Sequence, residues 1–150
     1  CFAELGLKGG QVPQVDALSA RKRYLSMFTA MQEGLLTSCH DLSDGGLAVA
    51  AAEMSIGGRI GANIDLDRVP QAGPTLNAQE LLYSESASRF LVTVPPEHKA
   101  RFERCFAGQS LAWLGETVPG QDLSFFHNGK SLFSSNVHSL TAAWQATLDF

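Results

Sequence analysis

The chain has 150 residues, of which 45% are hydrophobic and 17% charged, with a formal net charge of -4. That length fits one domain with a single core, and the composition excludes a disordered chain. Eleven basic residues are scattered, with Arg21-Lys22-Arg23 their one cluster, which argues against nucleic-acid binding, and no apolar run reaches the ~18 residues that a membrane helix needs.

The first ten residues lack the basic and apolar regions of a signal peptide. Cys1, Cys39 and Cys105 stand far apart, without paired spacing for zinc or an even disulfide framework. That is the pattern of a reducing, cytoplasmic setting. The chain starts at Cys rather than Met, so it is expected to be a piece of something longer.

After a lead punctuated by Gly9-Gly10 and Pro13, Asp16 suits the N-cap of a helix running to about Glu33. Leu18, Tyr24, Leu25, Phe28 and Met31 recur along it at helical spacing, and Gly34 supplies the stop. Leu35 to His40 reads as a short buried strand. An Asp/Ser/Gly loop follows, and then a helix from Gly46 to Ile56, closed by Gly57-Gly58. Ile60, Ala62, Ile64 and Leu66 alternate as a strand does. Ala78 to Leu82 reads as one helical turn, and Phe90 to Val94 as an apolar strand stopped by Pro95-Pro96. Pro96 opens a helix through Phe106 that carries Phe102 and Phe106 on one face. Three more strands are expected over Leu111 to Val118, Leu123 to His127 and Lys130 to Phe133. Asn128-Gly129 forms the best hairpin signal of the chain. Ser139 suits the cap of a final short helix with Leu140, Ala143, Trp144 and Leu148. Helices alternating with strands, followed by a late hairpin, argue for an α+β fold in which helices cover a mixed sheet.

Chemistry concentrates in His40-Asp41-Leu42-Ser43-Asp44-Gly45-Gly46, where a strand ends and a helix begins. Free N–H groups at a helix start attract anions, and the glycines let other groups approach the backbone. Carboxylates at such a place repel phosphate but hold it through Mg²⁺, a hard cation that takes one or two carboxylates plus phosphate oxygens. The plainer reading is that Asp44 caps the helix, Ser43 makes a turn and Asp41 is solvated. Spacing alone favours that reading.

Glu53 stands on an otherwise apolar helix. Nine residues beyond Asp44, it lies about 13 Å farther along the axis, too far to share one small site. A salt bridge to an arginine is the expected role, since buried carboxylates are seldom unpaired. Glu85 and Arg89, within Ser84-Glu85-Ser86-Ala87-Ser88-Arg89, read either as ligand contacts or as a loop leading into the next strand with a local ion pair. Spacing again favours structure. The four histidines show no metal-ligand spacing, and Cys39 and His40, as strand neighbours, point to opposite faces. No P-loop, dinucleotide fingerprint or hydrolase elbow is present.

The run from His40 to Ala50, continuing to Ala52-Glu53-Met54, resembles a signature of the C-terminal half of phosphoribosylformylglycinamidine synthase. Leu82-Tyr83-Ser84-Glu85-Ser86 with Arg89-Phe90-Leu91-Val92 resembles the second block of that family, and Gly115-Glu116-Thr117-Val118 the strand that follows. Ser139-Leu140 through Ala143-Trp144 to Thr147-Leu148 resembles the end of its small-type subunit, and Val12-Pro13 with Val15-Asp16 the segment before this domain.

The resemblance implies an AIR synthase C-terminal-domain-like module spanning residues 1–150, the last of a subunit that contains two such modules. It implies an ATP-dependent ligase of purine biosynthesis. ATP activates the amide oxygen of formylglycinamide ribonucleotide as a phosphate ester. Ammonia from glutamine then displaces phosphate, giving the amidine, ADP and phosphate. It further implies Asp41 as a Mg²⁺ ligand and Ser43 as an ATP contact, with Asp44, Gly45 and Gly46 in the same nucleotide loop. The implied partners are the rest of the subunit, a separate glutaminase and a small accessory protein. No catalytic residue falls within these 150, so the fragment alone is expected to be inactive. The alternatives are a non-catalytic scaffold module of that subunit, or a domain of another enzyme of the same superfamily. Aminoimidazole ribonucleotide synthetase, selenophosphate synthetase and thiamine-monophosphate kinase are such relatives.

Overall fold

The computed structural model describes residues 14–146. The Gly9-Gly10 and Val12-Pro13 features, Cys1 and the Thr147-Leu148 ending lie outside the described residues. Helix α1 (Ala17–Gln32) starts where expected: the Asp16 carboxylate accepts the Ser19 N–H at 2.7 Å, which satisfies one orphan amide of the first turn. Those bonds hold the Asp16 carboxyl below its ordinary value. Gly34, at φ +65°, ends the helix, and Leu35 N–H closes back on Ala30 O at 3.0 Å. The buried side of α1 is Ala20, Met27 and Ala30. The apolar series noted in the sequence lies on the other side, exposed.

Strand β1 (Ser38–Asp41) pairs antiparallel with β2 (Phe90–Thr93), in a register that sets Asp41 opposite Phe90. Helices α1 and α2 (Lys99–Cys105) pack together and against this ribbon. Between them Met27, Ala30, Leu35, Phe102 and Phe106 form one apolar cluster, with Cys39, Val92 and Trp113 packed against it. The Phe102 ring lies 4.7 Å from Phe106 and 6.1 Å from Trp113, centroid to centroid, within the range where aromatic pairs attract beyond simple burial.

A second layer is a four-stranded mixed sheet. In spatial order it holds β3 (Gly115–Val118), β4 (Gly61–Asp65), β5 (Asp122–His127) and β6 (Lys130–Asn136). Strands β4 and β5 run parallel; the outer pairs are antiparallel. Helix α3 (Gly46–Gly58) packs on this sheet with α4 (Ala78–Tyr83) and α5 (Val137–Ala146) beside it. Leu47, Ala50, Ala51, Ile64, Leu66, Leu81, Leu123 and Phe125 fill this larger cluster. The α+β class and the mixed sheet are as the sequence predicts, but the strands divide between a ribbon and a sheet.

The expected strand over Leu111 to Val118 shortens to its last four residues. Trp113 turns into the ribbon cluster while Leu114 packs on the sheet cluster, so this stretch joins two cores, with Leu114 O accepting the Asp65 N–H at 2.8 Å. Strand β6 extends beyond Phe133 to Asn136, where Ser124 and Ser134 hydroxyls meet at 2.9 Å across the pair. Helix α5 begins at Val137, with the Asn136 side-chain Oδ1 accepting the His138 N–H at 3.0 Å; Ser139 falls inside it. The Asn128-Gly129 hairpin forms as expected, with both residues at positive φ.

Candidate functional site

Strand β1 delivers Asp41 to the rim of a cleft of about 550 Å³, lined by Tyr24, Cys39, His40, Asp41, Ser88, Arg89 and Phe90. Beyond it Leu42 is buried and donates its N–H to Arg89 O at 3.0 Å. Gly46 N–H closes the loop on Ser43 O at 3.0 Å. Gly45 and Gly46 both take positive φ, +78° and +63°. A Cβ on Gly46 would stand 2.8 Å from both Leu82 O and Ser84 O. This glycine is therefore where α3 meets the end of α4, and no side chain fits.

The sequence reading of Asp44 as the cap does not hold. The capping position is Gly45, and no side chain of the loop bonds to the helix start. Glu85 does this from 40 residues away: its Oε1 accepts the Gly45 N–H at 2.9 Å. Glu85 thus serves the charge preference of the helix N-terminus, and a second anion there would meet it. Asp41, Ser43 and Asp44 are left exposed to solvent.

Arg89 does not pair with Glu85. Its guanidinium donates to Ser84 O, and to Ser86 O at 3.3 Å, which folds the loop back on itself. Burial pulls the Arg89 guanidinium down from its ordinary value. Two cleft residues were not evident in the sequence. Ser88, at φ +63°, accepts Arg23 Nη1 at its carbonyl, 2.8 Å, and its hydroxyl lies 3.1 Å from Tyr24 Oη. Only a fold that brings α1 against this loop reveals them.

Glu53 pairs with a histidine rather than an arginine: His40 Nε2 lies 3.1 Å from Glu53 Oε2. The other ring nitrogen lies 2.7 Å from Asp41 O, so both nitrogens face acceptor oxygens. Cys39 points the opposite way, toward Met27 Sδ at 4.0 Å, as strand alternation requires. Burial, and then the Asp41 charge, push its thiol up, away from the thiolate form that reacts.

Among the described residues no group of three or more histidines, cysteines or carboxylates can hold a metal ion. The donor chemistry of Asp41 nevertheless fits Mg²⁺ as one exposed oxygen ligand, since that ion completes its shell with water and phosphate. No helix among the described residues is long and apolar enough to cross a membrane.

The family model for AIR synthase related protein, C-terminal domain, matches residues 2–128. Phosphoribosylformylglycinamidine synthase subunit PurL of Synechocystis sp. is 38% identical over 143 residues, 93% of this chain and 18% of that protein. The subunit of the same name from Thermococcus gammatolerans is 34% identical over 145 residues, 97% of this chain and 20% of that protein. The chain thus spans about a fifth of the length of these relatives. Among solved structures, T. maritima PurL complexed with ADP superposes with a TM-score of 0.71 at 25% identity, over 80% of this chain and 21% of that one. With two sheets, the paired loops at Asp41 and Glu85, and a family match over most of its length, the chain belongs to the AIR synthase related family, as its C-terminal domain.

Proposed function

We propose that residues 1–150 form one module, the C-terminal part of a phosphoribosylformylglycinamidine synthase subunit. The whole protein would convert formylglycinamide ribonucleotide, ATP and glutamine-derived ammonia to the amidine, ADP and phosphate, in the cytoplasm. It would work with a glutaminase and a small accessory subunit. The reading is carried by one observation: the two sequence blocks that resemble this family meet in space. Leu42 bonds to Arg89 and Gly45 to Glu85 across 40 and more residues.

In this reading the cleft beside Asp41 takes a nucleotide. Asp41 would hold Mg²⁺, which would supply positive charge to neutralise a phosphate. Ser43 would donate a hydrogen bond to a phosphate oxygen, and Asp44, Gly45 and Gly46 would shape the loop. Glu85 already occupies the Gly45 amide, so Ser43 and a cation at Asp41 would hold the nucleotide rather than the helix start. No catalytic group is assigned to this chain, and the fragment alone is inactive.

A second reading is a purely structural module. It is favoured by the use already made of Gly46 for packing and of Glu85 for capping. Calorimetric titration of the full-length polypeptide with Mg²⁺-ADP separates the two. Binding that weakens at least tenfold in Asp41→Asn supports the nucleotide site. Equal affinity in both proteins, or none in either, leaves the scaffold. The mass of the native gene product tests membership in a longer subunit, and a 150-residue product would refute it.

A further inference from the structure

Helix α1 is apolar on two sides. Its inner side buries Ala20, Met27 and Ala30. Its outer side carries Leu18, Leu25, Phe28 and Met31, which are 79%, 56%, 60% and 48% exposed. Scattered exposed apolar residues need no explanation, but a contiguous stripe marks a contact surface. Two cations, Arg21 and Lys22, sit within and beside the stripe, and neither is in any of the ion pairs among the described residues.

We infer that the outer stripe of α1 is covered by another module of the longer polypeptide, an apolar strip flanked by carboxylates that meet Arg21 and Lys22. The inference rests on the proposed membership in a longer subunit. About four-fifths of the length of the matched relatives lies outside this chain. A tethered module meets the stripe at high effective concentration, so a modest apolar contact suffices. The stripe also runs onto the cleft. Tyr24 lies on α1 between them, its ring edge-on to Phe90 at 5.8 Å and its hydroxyl on Ser88. A module seated on α1 would therefore wall the Asp41 cleft on its open side.

Cysteine labelling tests this. Leu18→Cys and Phe28→Cys are placed separately in the full-length polypeptide and in the 150-residue chain, with Glu97→Cys as an exposed reference. Maleimide labelling is followed by peptide mass. The expected result is labelling at positions 18 and 28 at least tenfold slower in the longer polypeptide, with position 97 equal in both. Equal rates at 18 and 28 overturn the inference. Slow labelling already present in the 150-residue chain overturns it too, because residues 1–13 or a second copy then cover the stripe. Slow labelling confined to the longer polypeptide, without Mg²⁺-ADP binding, retains the interface and removes the nucleotide site. Binding without slow labelling does the reverse.

Discussion

Gly46 packs against backbone that cannot move aside. The atoms its Cβ would meet are the carbonyls of Leu82 and Ser84, and its φ of +63° is itself unfavourable for other residues. Left-handed backbone costs a side-chain-bearing residue roughly 1–2 kcal/mol, and forcing atoms into a filled space about 1–3 more. Gly46→Ala is therefore expected to lose about 3 kcal/mol of stability, on the order of 10 °C in Tm. Gly34 makes a control, since it has a similar φ of +65° but nothing within 4 Å; Gly34→Ala should lose only the backbone part, about 1–2 kcal/mol. Equal losses in thermal melts of the two variants would show that the contact with α4 does not matter.

At the scale of elements, β5 is joined to β4 by its parallel ladder, and the turn of the β5–β6 hairpin is tied to the segment after β4 by one carboxylate. Asp67 lies in the 3-10 turn after β4, and both its oxygens accept the Asn128 N–H, at 3.1 and 2.9 Å. His127 Nδ1 stands 2.7 Å from Oδ1. The Asn128 amide is the largest influence and holds the Asp67 carboxyl below its ordinary value of 3.8; burial, the next largest, opposes it, and the His127 ring and Gly129 amide add to the lowering. A carboxyl lowered by folding stabilises the native state fully above its unfolded value, and that stabilisation is lost as pH falls through the lower folded value. Denaturant midpoints measured from pH 6 downward should therefore show wild type above Asp67→Asn, with the gap closing below about pH 4. A gap that stays constant with pH would mean that the Asp67 charge contributes nothing. The hairpin itself was legible, because Asn-Gly demands the positive φ that these two residues adopt. Its tether was not, because Asp67 and Asn128 are 61 residues apart.

For the molecule as a whole, two apolar clusters share one chain. The ribbon cluster is built on Phe102 and the sheet cluster on Phe125, each 1% exposed. Truncating a buried phenylalanine to alanine costs about 3–5 kcal/mol, and both variants should fall in that range. Their patterns of hydrogen exchange should differ. Phe102→Ala is expected to speed exchange in Ser38–Asp41 and Phe90–Thr93 more than in Gly61–Asp65 and Asp122–His127, and Phe125→Ala the reverse. Uniform acceleration would make the two clusters one cooperative unit. Element types and most boundaries were readable from periodicity and turn residues. The division of the strands was not, since an alternating pattern names a buried face without naming which core it faces; Trp113 and Leu114, adjacent in sequence, face different ones. The helical spacing in α1 was equally ambiguous: it marked a helix, while Ala20 and Ala30, small enough for close approach, hold the buried side. At the candidate site the loop glycines and Asp41 were visible. Glu85 as the helix cap was not, because a cap supplied by a distant segment leaves no local signature.

That distant cap also determines what can be moved between proteins. The loop from Asp41 to Gly46 has the look of a self-contained cassette, yet three of its contacts are with the segment from Leu82 to Arg89. Grafted alone onto another scaffold, it would present an unpaired amide at Gly45 and a glycine with nothing to pack against. The inheritable unit is the pair of segments, and substitutions in one are buffered or exposed by residues in the other.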